Sequence, residues 1–131
     1  MTWVRASAQP ALVAAIQVQA GTTCSVLDRP PTTVNPPLIV VGRPSQVLYS
    51  TPSFGIDTAT VPIACIGAAD SDEQVDALVT IVRAIADPAL SDITLGHVVQ
   101  LVGDVAERGW RNLVIAGVDI LQATVDLSIT M

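Results

Sequence analysis

The chain contains no lysine, one histidine (His97), two cysteines and four aromatic side chains: two Trp, one Tyr and one Phe. Each shortage excludes something. Without lysine there is no Walker-type phosphate loop, and neither a G-x-G-x-x-G turn nor a G-x-S-x-G elbow occurs in the sequence. A catalytic triad or a histidine-based metal site would have to be built on His97 alone, which reads as an ordinary residue at a strand start. Cys24 and Cys65 form neither C-x-x-C nor a zinc spacing, so buried free thiols in a reducing compartment are expected. No run of about 18 apolar residues exists to span a bilayer. The longest fully apolar run near the N-terminus, Ala11 to Ile16, is flanked by Gln9, Pro10, Gln17 and Gln19, and no secretory signal is expected.

Charge is scarce as well. Only 14% of the 131 residues are charged while 50% are hydrophobic, against about 25% charged in an ordinary soluble domain. The apolar bulk is Ala, Val, Ile and Leu, which excludes intrinsic disorder and suits one tightly filled domain over residues 1–131. So few charges do not coat a lone globule, which points to an assembly subunit. Six Arg stand against ten Asp and two Glu, a net charge of -6. Arg5, Arg29, Arg43, Arg83, Arg108 and Arg111 are scattered singly along the sequence, so a groove that grips nucleic acid or an anionic membrane is not expected. A conduit through which DNA slides is compatible with like charge.

Periodicity orders the elements. A helix is expected from Ser7, as N-cap, to Gln19, with Ala8, Ala11, Leu12, Ala15 and Ile16 on its apolar face, Pro10 in the first turn and Gly21 as its stop. Thr22–Leu27 reads as a short strand with Cys24 and Val26 on one face, 29–37 as a proline-stiffened loop, and Leu38–Val41 as a strand buried on both faces. The stretch 43–58, carrying Tyr49 and Phe54, reads as a long connection where partners are met. Thr60–Gly67 is a strand, and Pro62 argues for an edge position or a strand start.

A second helix opens at Ser71 with the capping-box partner Gln74, carries Asp72 and Glu73 in its first turn, and is stopped by Asp87-Pro88. Its apolar stripe is Val75, Leu78, Val79, Val82, Ile85 and Ala86, widened by Ile81. Asp70, Asp72, Glu73 and Asp76 lack calcium-loop spacing and read as helix-terminus charges. His97–Val105 is a strand, Ala106–Arg111 a turn, and Leu113–Val118 a further strand. Leu121 to Met131 alternates apolar and polar over eleven residues, a half-buried strand expected to pair antiparallel with His97–Val105 or with Leu113–Val118. The order implies an α+β fold: a mostly antiparallel or mixed β-sheet covered by two helices. No catalytic, cofactor-binding or metal-binding residue is assigned. Trp3 and Trp110 either fill gaps in the domain or anchor subunit contacts, with Arg111 as the polar partner of Trp110.

The order of segments resembles the tail terminator, or tail completion, proteins of long-tailed bacteriophages. The resemblance rests on the N-terminal helix with Ala11-Leu12-Val13-Ala14-Ala15-Ile16, on Pro37-Leu38-Ile39-Val40-Val41-Gly42, and on Phe54-Gly55-Ile56-Asp57 followed by Val61-Pro62-Ile63. It continues through the capped helix from Asp70 to Ile85 to Gly109-Trp110-Arg111-Asn112-Leu113 and Ala116-Gly117-Val118-Asp119. None of these strings is a catalytic signature, and the 29–37 loop has no counterpart in the shared pattern. The resemblance implies a structural virion protein at the tail-neck junction, assembled in the host cytoplasm, with no enzymatic activity and no cofactor. It implies a homo-oligomeric ring, usually a hexamer, that caps the tail-tube protein, stops its polymerisation and meets a neck or head-completion protein. DNA would pass through the lumen without sequence-specific binding, and no membrane is involved. Trp110, Arg111, Tyr49 and Phe54 are the candidate subunit or partner contacts. Two other readings stay open: a neck-connector or tail-tube subunit of a phage, and a small oligomeric enzyme or ligand-binding domain.

Overall fold

The computed structural model describes residues 8–29, 33, 35–48, 58–89, 93–95, 101–115 and 117–130. The elements run α1 (Ala8–Ala20), β1 (Ser25–Leu27), β2 (Leu38–Val41), β3 (Gln46–Leu48), β4 (Thr58–Ala68), α2 (Asp72–Ala84), β5 (Leu101–Ile115) and β6 (Val118–Thr130). The fold is α+β. One six-stranded sheet has the order β1-β2-β4-β6-β5, with β3 also on β4. The β1/β2 ladder is parallel and the others are antiparallel, so the sheet is mixed.

Both helices lie on one face of the sheet, where their apolar stripes meet alternate strand residues: Ile39 and Val41 of β2, Val61, Ile63 and Cys65 of β4, and Ala123 to Ile129 at every second position of β6. The alternation read from the sequence is this pattern over Leu121 to Thr130, buried at Leu121, Ala123, Val125, Leu127 and Ile129 and half-open between them, with Met131 outside the described residues. On the other face, Leu38, Val40, Ile66 and Ile120 form a smaller apolar cluster joined by Leu113, Ile115 and Val118. All four residues of β2 are buried, because both clusters draw on it.

Helix α1 starts at Ala8, holds Pro10 in its first turn, and ends one residue beyond the expected Gln19, where the Gly21 N–H bonds the Gln17 carbonyl at 2.9 Å; the expected N-cap Ser7 lies outside the described residues. In α2 the expected stripe is buried at Val75, Leu78, Val79, Val82 and Ile85. The capping box is not formed: the Ser71 side chain makes no cap bond, and Gln74 Oε1 instead accepts the Ala68 N–H at 2.6 Å. Gln74 thereby ties the helix start to the end of β4 rather than to its own N-cap.

Three expectations about strands are corrected. Pro62 sits in the middle of β4, at the centre of the sheet, opposite Asp126 of β6. β6 runs along one side of β4, while β3 covers Thr58–Thr60 and β2 covers Ile63–Ile66 on the other. The missing N–H of Pro62 falls in the gap between β3 and β2, where its carbonyl accepts the Gly42 N–H at 2.9 Å. The chain passes so close here that a Cβ on Gly42 would lie 2.8 Å from that carbonyl. Next, 43–58 is not all connection, since Gln46–Leu48 form β3. Finally, the expected turn at 106–111 is strand: β5 runs unbroken over fifteen residues and pairs with β6 along its length. Of the two pairings weighed for the last strand, the one with His97–Val105 is seen over Leu101–Val105, whereas the expected strand Leu113–Val118 is instead the end of β5 and the start of β6, with Leu113–Ile115 paired to Val118–Ile120. What looked like a turn is a β-bulge between Glu107 and Trp110, where Gly109 adopts φ +28.

Candidate functional site

Of the four candidate contact residues, Trp110 and Arg111 are adjacent in β5, while Tyr49 and Phe54 lie outside the described residues, as do Trp3 and His97. β5 is the edge strand beyond β6. The helices pack over β4 and β6 and over β1 and β2, so the middle of β5 carries exposed side chains on the helix-bearing face. Trp110, 36% exposed, stands opposite Ala123, and Val114, 67% exposed, stands opposite Asp119. The Trp110 indole N–H donates to Glu107 Oε1, across the bulge, which fixes the ring beside the carboxylate.

Arg111 projects to the other face, opposite Gln122, and the bulge brings Arg108 to the same side. Arg108 Nε bonds Asp126 Oδ2 at 3.0 Å. The other carboxylate oxygen, Asp126 Oδ1, is buried and has no hydrogen-bond partner among the described residues. Arg108, Gly109, Trp110, Arg111 and Thr124 line an open cleft of about 340 Å³. Two arginines that are scattered in sequence thus share one cleft, which linear spacing did not reveal because the bulge changes which residues share a face.

A second cleft, of about 460 Å³, lies at the end of the β5–β6 hairpin between Asp70, Asn112, Val114 and Asp119. Its two carboxylates lack a third ligand, and among the described residues no group of three or more His, Cys, Asp or Glu is placed to hold a metal ion. Asp72, Glu73 and Asp76 are exposed on the first turns of α2, where the helix dipole favours them.

Both cysteines are buried free thiols, as expected. Cys24 precedes β1 and Cys65 lies in β4 with β2 between them, and no disulfide joins the two. Burial pushes the Cys65 thiol up to about 12, with the charges of Cys24 and Glu107 adding to the effect. Burial also raises Cys24. Neither is poised as a nucleophile, because the thiolate is the reactive form.

The sequence reading missed two glutamines of α1. Gln9 is 1% exposed, and its Nε2 donates to the carbonyls of Asp28 at 3.1 Å and Val41 at 3.4 Å. Gln17 Nε2 donates to the carbonyls of Gly21 at 3.0 Å and Cys24 at 3.2 Å, and its Oε1 accepts the Val26 N–H at 3.2 Å. Amides within an apolar stripe were the only signal. Among the described residues no helix is long and apolar enough to cross a membrane. No family model matches the chain, and the search of curated proteins finds no match.

Proposed function

We propose that this chain is a structural subunit of a closed ring, and specifically a tail-terminator protein that caps the tail tube of a long-tailed phage and joins it to the neck. The observation that carries the ring is β5: a fifteen-residue edge strand with exposed Trp110 and Val114, on a chain that is only 14% charged. An edge of this length with a large aromatic in the open is suited to contact with another protein. The terminator assignment rests on the order of segments named above.

A terminator works by asymmetry. One face of the ring matches the tube mouth, and the other lacks the surface that would let a further tube ring add. The work is done by complementary surfaces alone, with no covalent step. A net charge of -6 suits a lumen that lets DNA pass without trapping it. Electron microscopy of the purified chain tests the reading: single closed rings that bind tube ends and halt their growth support it, and open tubes assign the chain to tube subunits instead. A monomer that turns over a small molecule would overturn it.

A further inference from the structure

The cleft on β5 has an unsatisfied chemistry. Asp126 takes one guanidinium nitrogen of Arg108, Nε, which leaves the Nη pair for another acceptor, and among the described residues no ion pair engages Arg111. Two guanidinium groups around one opening form a receptor for a planar oxyanion, and carboxylate is the natural fit to their fork geometry. The chain's own acids are unevenly distributed. Asp28 pairs with Arg29, Asp126 with Arg108, and Glu107 with the Trp110 indole. Asp72, Glu73 and Asp76, by contrast, are exposed on the side of α2 away from its buried stripe.

We infer that the Arg108/Arg111 cleft of one chain receives the acidic first turn of α2, Asp72 and Glu73, from a second copy of the chain. This rests on the ring reading and names the contact that closes it. Charge complementarity selects the occupant: a chain of net charge -6 keeps a pair of arginines in one cleft, and among the described residues the first turns of α2, with Asp72, Glu73 and Asp76 all exposed, concentrate the opposite sign. The two surfaces lie on opposite faces of the sheet, since α2 covers the core face while Arg108 and Arg111 project from the other. A contact between unlike patches is head-to-tail, and repeated about a closing rotation it gives a ring rather than a two-fold dimer.

Sedimentation velocity on the purified chain tests this with three variants. Arg111→Glu leaves the Arg108–Asp126 pair intact, and Asp72→Arg/Glu73→Arg changes only exposed positions. Each is expected to weaken self-association by at least about tenfold. The chain carrying all three changes is expected to recover part of it, because position 111 and the α2 turn then carry reversed but matched charges while Arg108 is unchanged. Circular dichroism of each variant confirms that it is folded. A wild-type ring that neither variant weakens, or no recovery in the combined variant, overturns this contact and leaves the ring reading standing. A wild-type chain that stays monomeric overturns the ring reading itself. If Arg111→Glu abolishes binding to a duplex DNA probe but leaves assembly unchanged, the cleft is a phosphate site and the inference fails.

Discussion

The two end strands of the order β1-β2-β4-β6-β5 are built in opposite ways. β1 is three residues long, pairs in parallel with β2 and lies beside α1. Its outward groups are occupied: the Gln17 side chain accepts the Val26 N–H and donates to the Cys24 carbonyl. This amide imitates the backbone of a neighbouring strand at Cys24 and Val26, the positions where a real one would pair. β5 is fifteen residues long. At its start the Val102 N–H is taken by the Ile93 carbonyl at 2.8 Å, and beyond that no strand among the described residues covers its outer side. Two irregularities, at Gly103/Val105 and at Glu107/Trp110, break its register. Bulges of this kind twist an edge away from indiscriminate pairing. Among the described residues, one edge is capped by a side-chain amide and the other is open but shaped.

The largest effect should come from removing the support of the capped edge. Ile16 is fully buried in α1, and Ile16→Ala is expected to cost about 3 kcal/mol in urea unfolding. Gln17→Leu keeps the bulk but strips three hydrogen bonds, so it should cost about 2 kcal/mol. It should also produce irregular aggregates visible by light scattering, because β1 then presents unpaired groups. Cys65, at the centre between the two edges, gives a pH signature. Its thiol is pushed from 9.0 up to about 12 by burial, so the folded protein holds a proton that the unfolded chain releases. That contribution is complete below pH 9 and is lost as pH rises toward 12, at up to about 1.4 kcal/mol per pH unit. Urea melts at pH 8, 9 and 10 should show the slope, and Cys65→Ala should flatten it. The smallest effect on stability belongs to the open edge: Trp110→Ala should change the melt by less than about 1 kcal/mol while lowering self-association, which sedimentation reads directly.

Legibility in the sequence followed the same division. Elements whose burial is set by their own periodicity, α2 and β6, could be read because 3.6- and 2-residue patterns are local properties of the chain. β2 was legible for a related reason, a short apolar run buried on both faces. Pro62 misled because its tolerance in a central strand depends on where β2 ends and β3 begins, a fact about other segments. Glu107-Arg108-Gly109-Trp110 has the composition of a turn, and only the partner strand makes it a bulge. Gln74 met the capping pattern but reaches Ala68, whose position is set by β4. Of the candidate contact residues, Trp110 and Arg111 were marked by residue type alone. Arg108 joins them through the bulge, and Gln17 announces nothing until β1 lies beside it.

Amide hydrogen exchange as a function of protein concentration tests most directly whether identical chains meet along β5. Between dilute and concentrated samples, protection should rise along β5 and in the first turn of α2 and stay constant at β1. Oligomers that form with β5 exchanging at the same rate in both samples, or with new protection at β1, would contradict the account.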